Sequence, residues 1–249
     1  MKPVSWNPPR ETQGAVVPSL LGVVSVIEAV TADLRQRILT GELQPGAPLA
    51  EVEVSIEYDV ARPTAKAAIE NLVRDRLLER RAHKTARVLR MNPEDARDIY
   101  RTRAIVEAEV LRELAEKRLV PSHAREANEA IKALAGASPR DIVEPDMRFH
   151  RSLVDALASE RTSRMYDSLA SEVVFCMSQV QGAELLPAGL IAAEHEHLLE
   201  LIEAGEGDRA AEVLRVHIGR ARERLAERLG GEAGPEAAAP PATEVVFTQ

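Results

Sequence analysis

The stretch Asp59-Val60-Ala61-Arg62-Pro63-Thr64-Ala65-Lys66-Ala67-Ala68-Ile69 carries most of the information about the front of this chain. Pro63 suits a first helical turn, where its missing amide proton costs nothing. Behind it, Ala65, Ile69, Leu72 and Val73 recur at helical spacing. Upstream, Glu51–Tyr58 predicts a short helix. A turn-rich connector, Gly41-Glu42-Leu43-Gln44-Pro45-Gly46, separates it from a helix over Val30–Leu39. Downstream, Leu77–Arg81 and Ala86–Leu89 flank a polar tip, which predicts a small hairpin. Helix, short helix, turn, helix and hairpin make a winged helix-turn-helix. In such a unit the second helix enters the major groove and its first residues meet base edges. Arg62 is therefore a candidate for a bidentate guanine contact, and Thr64 and Lys66 for phosphates or base edges. The wing tip His83-Lys84-Thr85 offers further donors, backed by Arg80, Arg81 and Arg87.

The charge balance of the 249 residues needs dividing before it is read. Lys and Arg number 32 against 40 Asp and Glu, a net of −8. Residues 31–91 hold eleven basic and nine acidic residues, a net of +2, whereas the remainder holds 21 against 31. A slightly basic front on an acidic body is the asymmetry of a nucleic-acid reader joined to something else. Aromatics are only 3% of the chain, and Ala, Leu, Glu and Arg dominate, which favours helices over a β-sandwich. A single cysteine, Cys176, excludes an internal disulfide and a cysteine-rich zinc module and fits a reducing compartment. No apolar run reaches the roughly 18–20 residues of a membrane span. The proline-rich start lacks the charge pattern of a signal peptide. These features predict a cytoplasmic protein without membrane association.

After Asn92-Pro93 the pattern is helical. Six helices are expected at Pro93–Arg118, Pro121–Leu134, Pro139–Ala158, Arg161–Gln181, Leu186–Ala204 and Asp208–Leu229, separated by Pro, Gly or short polar breaks. The fold class is thus mainly α, with a winged helix-turn-helix over 25–91 and a helical bundle over 92–230. Residues 1–24 read as a flexible arm and 231–249 as a disordered tail. Polar residues interrupt the bundle's apolar stripes. Arg103 and Glu107 share the stripe of Ile99, Val106 and Val110. Asp146 and His150 share that of Phe149 and Leu153. His195 lies between Ile191 and Leu198, and His217 beside Val213 and Leu214. Spacing of i, i+4 lets Asp146 and His150 converge on one ion. With His195 and His217 they form a donor set suited to Zn, Ni, Fe(II) or Mn. Four ligands leave positions free for a small carboxylate effector, whose far end Arg103 can clamp. Glu107 belongs to the same candidate effector site. His123, His197 and Cys176 are read as ordinary flank and core residues.

The front segment, with Gly41-x-Leu43-x-Pro45-Gly46-x-x-Leu49-x-Glu51 ahead of the quoted stretch, resembles the N-terminal domain of GntR-family transcription regulators. That family's common pattern here is Gly-Val-Ser-Arg-Thr-Pro-Val-Arg-Glu-Ala-Leu. Arg62 matches its first arginine and Lys66 stands at the second. Ala61 and Ala67 replace the serine and the glutamate, and Val52 stands where an arginine is often found. The family's consensus operators therefore do not transfer. The later residues Asp146-x-x-Phe149-His150-x-x-Leu153, Glu194-His195 and His217 are similar to the FCD effector domain of the FadR subfamily, as is Arg103-x-x-x-Glu107. A six-helix bundle resembles its VanR-like branch. The resemblance implies a homodimer on a palindromic double-stranded DNA operator, a metal held by Asp146, His150, His195 and His217, and a small organic acid as effector, with repression the favoured direction.

Three other readings compete. A metallohydrolase could use Glu107 or Glu194 as base, but no nucleophile motif accompanies them and a winged helix has no place in such an enzyme. A metal-free acyl-CoA sensor of the same superfamily leaves three inward histidines unexplained. A direct metal sensor leaves Arg103 unexplained.

Overall fold

The computed structural model describes residues 25–82, 84–134, 138–180, 186–232, 234 and 237. His83, the arm over 1–24 and nearly all of the tail over 231–249 lie outside the described residues. Among the described residues nine helices and three short strands follow in the order α1 (Val26–Leu39), β1 (Pro48–Leu49), α2 (Glu51–Glu57), α3 (Arg62–Arg74), β2 (Leu78–Glu79), β3 (Ala86–Val88), α4 (Pro93–Glu116), α5 (Ser122–Ala133), α6 (Pro139–Asp155), α7 (Glu160–Gln179), α8 (Ala188–Ala204) and α9 (Gly207–Arg228).

The helix ends have local causes. Ser25 caps α1 and Asn92 caps α4, each in a reciprocal capping box with Glu28 and Asp95. Pro93 and Pro63 sit in first turns. Gly205 ends α8 in a left-handed conformation, φ 82°, that a side chain would resist. Helix α1 begins four residues before the expected Val30, because the Ser25 cap recruits an additional turn.

The front unit is α1, α2 and α3 with an antiparallel sheet in the order β1-β3-β2. The hairpin is as expected. The strand β1 is additional: Pro48 and Leu49 pair with Arg87 and Ala86, where the sequence shows only the end of a turn. The unit is held by Leu34, Ile38, Ala65, Ile69, Leu72 and Leu77, all at most 2% exposed. Each buried aliphatic side chain of this kind contributes about 1.5–3 kcal/mol.

Helices α4–α9 form the bundle. Helix α4, about 36 Å long at the usual rise per residue, is its spine and packs most extensively along α9, and α5 lies between α6 and α8. Phe149, Leu153, Tyr166, Leu198, Ile202 and Leu214 fill the interior. Cys176 is buried and its thiol pKa is pushed up to about 12, mainly by burial. No helix among the described residues is long and apolar enough to cross a membrane.

Candidate metal centre and nucleic-acid interface

The winged unit presents its basic residues outward. Arg62 is exposed at the first turn of α3, Lys66 is exposed one turn on, and Thr64 is half-buried between them. Lys66 pairs with Glu70, 3.7 Å away and itself exposed. Asp59, at the turn before α3, has φ 49°, a left-handed conformation that short polar side chains tolerate better than most. At the wing, Arg81, Lys84, Thr85 and Arg87 with Glu79 line a cleft of about 430 Å³. Arg80 is less available than its neighbours, since Nη2 donates to Glu51 at 3.2 Å. Val52 is exposed on α2. Thus α3 and the wing each present basic groups to the outside, Arg62 and Lys66 on one and Arg81 and Lys84 on the other.

The bundle does the opposite. Asp146, His150, His195 and His217, from α6, α8 and α9, are all buried, and a ligand atom of each lies within 4.8 Å of the others. Asp146 Oδ1 is 3.8 Å from His150 Nε2 and 3.6 Å from His195 Nε2. The residues are held from behind. Glu107 Oε2 is 2.6 Å from His150 Nδ1, and its Oε1 accepts from Tyr166 at 2.6 Å and from Arg103 Nε at 2.7 Å. On the other side, Glu194 Oε2 is 2.7 Å from His217 Nδ1, while Oε1 accepts from Arg220 at 2.8 Å. Phe149 stacks on His195 with ring centroids 3.7 Å apart and planes 3° from parallel.

Two carboxylates therefore fix two imidazoles through Nδ1 and turn their Nε2 atoms inward. This arrangement, a ligand nitrogen opposite a carboxylate-bound nitrogen, sets tautomer and ring orientation in metal sites. His150 Nε2 and both nitrogens of His195 are buried without a hydrogen-bond partner, as is Arg103 Nη2. An unpaired buried polar atom normally costs about 1–3 kcal/mol, so four of them in one place mark donors and acceptors held for something else. Arg103 Nη2 also lies 3.8 Å from Asp146, beside the cluster.

The electrostatics agree. Burial, then the Arg103 charge, lowers the His150 pKa, and burial with the neighbouring His150, His217 and Arg103 charges holds that of His195 well down. Both imidazoles are thus poised neutral, the form that binds a cation. Burial would raise the Glu107 carboxyl, but His150 and Arg103 outweigh it and bring the value to about 2. The Arg103 guanidinium is held charged by Glu107 in spite of its burial. Tyr166 is pushed well up by burial and by Glu107, so it remains a hydroxyl donor.

The structure thus brings all four expected donors together, with Arg103 beside them. Glu107 stands behind them: its Oε1 accepts from Tyr166 and Arg103 and its Oε2 lies against His150, so it holds both His150 and Arg103 in place. Tyr166 and Arg220 are not among the residues expected from the sequence, and Glu194 enters there only as a possible base and within the FCD resemblance. Glu194 and Arg220 flank the inward histidines by one and three residues, and Tyr166 shares an apolar stripe with Val173. His123 is exposed beside Glu126, and His197 is half-buried beside Glu200, both away from the cluster.

Residues 26–88 match the bacterial regulatory proteins of the gntR family, and residues 98–220 match the FCD domain. The chain is 29% identical over 213 residues to the HTH-type transcriptional regulator BphR of Paraburkholderia xenovorans, covering 80% of this chain and 84% of that one. It is 27% identical over 185 residues to a Paenarthrobacter nicotinovorans protein whose name ascribes to it repression of a D-xylose utilization operon, covering 73% and 80%. Its fold is similar to that of a GntR transcriptional regulator from Rhodococcus sp. RHA1, with a TM-score of 0.69 at 22% identity over 83% of this chain and 98% of that one. The chain belongs to the GntR family, as a DNA-binding transcription regulator in which a winged helix-turn-helix precedes an FCD effector domain.

Proposed function

We propose that this regulator is a cytoplasmic, homodimeric repressor that senses a small organic acid through a divalent transition metal in its bundle. The winged helix over 25–91 reads DNA and the bundle over 92–230 reads the acid. Asp146, His150, His195 and His217 are the metal ligands. A metal held by these residues would supply a Lewis-acidic centre for a carboxylate. The donor set suits Zn, Ni, Mn or Fe(II). Arg103 holds the far end of the acid through Nη2, and Glu107 supports His150 and orients Arg103 without touching the effector.

One observation carries this reading: ligand atoms from each of three inward imidazoles and a carboxylate lie within 4.8 Å of one another, while His150 Nε2, both nitrogens of His195 and Arg103 Nη2 have no hydrogen-bond partner. A metal-free acyl-CoA sensor has no use for those atoms, and a direct metal sensor has none for a buried guanidinium beside its cation. Hydrolysis is disfavoured because Glu107 and Glu194, the available bases, are both spent on histidine and arginine. Repression is the direction suggested by the Paenarthrobacter relative's name. The six bundle helices fit the VanR-like branch.

On the DNA side, Arg62, Thr64 and Lys66 on α3 and His83, Lys84 and Thr85 at the wing are the contacts. A symmetric dimer places two such units on half-sites of a palindromic operator about one helical turn apart. The acid shifts DNA affinity only as far as it binds the released arrangement better than the operator-bound one.

A thermal-shift screen of small organic acids, run with and without chelator, tests the reading. A ligand of the folded state raises its melting temperature. We expect di- or tricarboxylic acids to raise it only in metal-loaded protein. Stabilisation of chelator-treated protein by acyl-CoA, or an acid effect indifferent to chelator, contradicts the proposal.

A further inference from the structure

The geometry points to Gln179 as a positioning residue: it ties the bundle to the connector of the DNA-reading unit, and helix α7 carries the state of the buried site to it. The connector is residues 89–91, between the last strand of the wing and the cap of α4. Near its own end, α7 sets the Gln179 amide against this segment. Oε1 accepts from the Met91 amide at 3.0 Å and Nε2 donates to the Leu89 carbonyl at 2.9 Å. The carboxamide is the neutral side-chain group that meets a backbone N–H and a backbone C=O together. A glutamate would face the Leu89 carbonyl with negative charge, and a leucine would satisfy neither group.

The other end of the same helix reaches the sensor. Tyr166, 1% exposed, donates to Glu107, which holds His150 and Arg103. Thirteen residues separate Tyr166 from Gln179, about 20 Å of helix, with neither Gly nor Pro between them. A rigid element with a specific bond at each end can pass a sub-ångström shift, whereas a chain of loops dissipates it. Beside the tie, a groove of about 710 Å³ opens between the two halves, lined by Arg35, Leu39 and Leu77 on one side and Met147, Val174 and Met177 on the other. This groove between α1 on one side and α6 and α7 on the other leaves room for the angle of the winged unit to change. Because the dimer reads two half-sites at fixed spacing, that angle decides whether both units reach DNA.

The inference rests on the reading proposed above for the identity of the trigger, the metal, and for the dimer through which the angle acts on DNA. Its test uses amide hydrogen exchange of the full chain, read by mass spectrometry in EDTA and in Zn²⁺. In the wild type, Zn²⁺ should slow exchange over residues 89–91 by about fivefold or more. In Gln179→Leu the connector should exchange fast in both states, while peptides around His150 and His195 still respond to Zn²⁺. In Tyr166→Phe, which removes one hydroxyl, metal should still bind but the connector's response should fall below about twofold. A connector that responds to Zn²⁺ in both variants as it does in the wild type overturns the inference. If Zn²⁺ alters no peptide of the wild type, the metal reading fails. The tie is then judged in EDTA alone, where faster connector exchange in Tyr166→Phe supports it and unchanged exchange overturns it.

Discussion

The winged unit and the bundle use the same charged residues in opposite ways. In the winged unit, the described ion pairs sit at the surface. Lys66 and Glu70 have side chains 55% and 51% exposed. In the bundle, Arg103 with Glu107 and Arg220 with Glu194 are each at most 4% exposed and bonded at 2.7–2.8 Å. Exposed pairs contribute little and leave their charges free for a partner outside the protein. Buried pairs are costly to assemble and worse to break, because the survivor is stranded in a low dielectric. Charges that face outward suit a polyanion met in solution. Charges that face inward suit a small ligand that must be enclosed and told apart.

Substitutions can break this contrast or sharpen it. The largest effect is expected at Glu107→Ala, which strands Arg103 and releases His150. Urea denaturation should show a loss of about 3–5 kcal/mol, against less than about 1 kcal/mol for Glu51→Ala at the half-exposed pair with Arg80. Equal losses at the two sites would erase the distinction. Next comes Glu194→Gln, which keeps the shape but weakens the hold on His217. Calorimetric titration with Zn²⁺ should show an affinity lower by about 10–100-fold, and an unaltered affinity would remove Glu194 from the support of the site. Outside, Arg62→Ala should weaken binding to a duplex selected from a random library by about 1–3 kcal/mol. Its urea midpoint should stay near that of the wild type, as expected of an exposed side chain. Undiminished binding would take Arg62 out of the reading set. Smallest is Lys66→Ala, which should lower the salt dependence of binding by about one unit of log–log slope and weaken all sequences alike. A change of sequence preference would make Lys66 a base contact.

The two halves also differ in how far their sequences disclosed them. Bundle helices were legible because Pro, Gly and capping residues mark their ends, and most observed ends fall within two or three residues of the expected ones. The four candidate ligands were legible because each breaks an apolar stripe at helical spacing. Strand β1 was not: two residues, one of them Pro48, carry no alternating pattern. Nor were the roles of Tyr166, Glu194 and Arg220, which arise when helices distant in sequence are packed together. The Gln179 tie has no sequence signal at all, since its partners are backbone groups.

The central claim is that the buried cluster holds a transition metal through Asp146, His150, His195 and His217. Elemental analysis of purified wild-type protein beside His150→Ala and His217→Ala tests it most directly. The account predicts about one transition ion per chain in the wild type, lost in both variants while their circular dichroism remains helical. A wild type that takes up no metal after incubation with Zn²⁺, Ni²⁺ or Mn²⁺, or variants that retain it in full, would contradict the account.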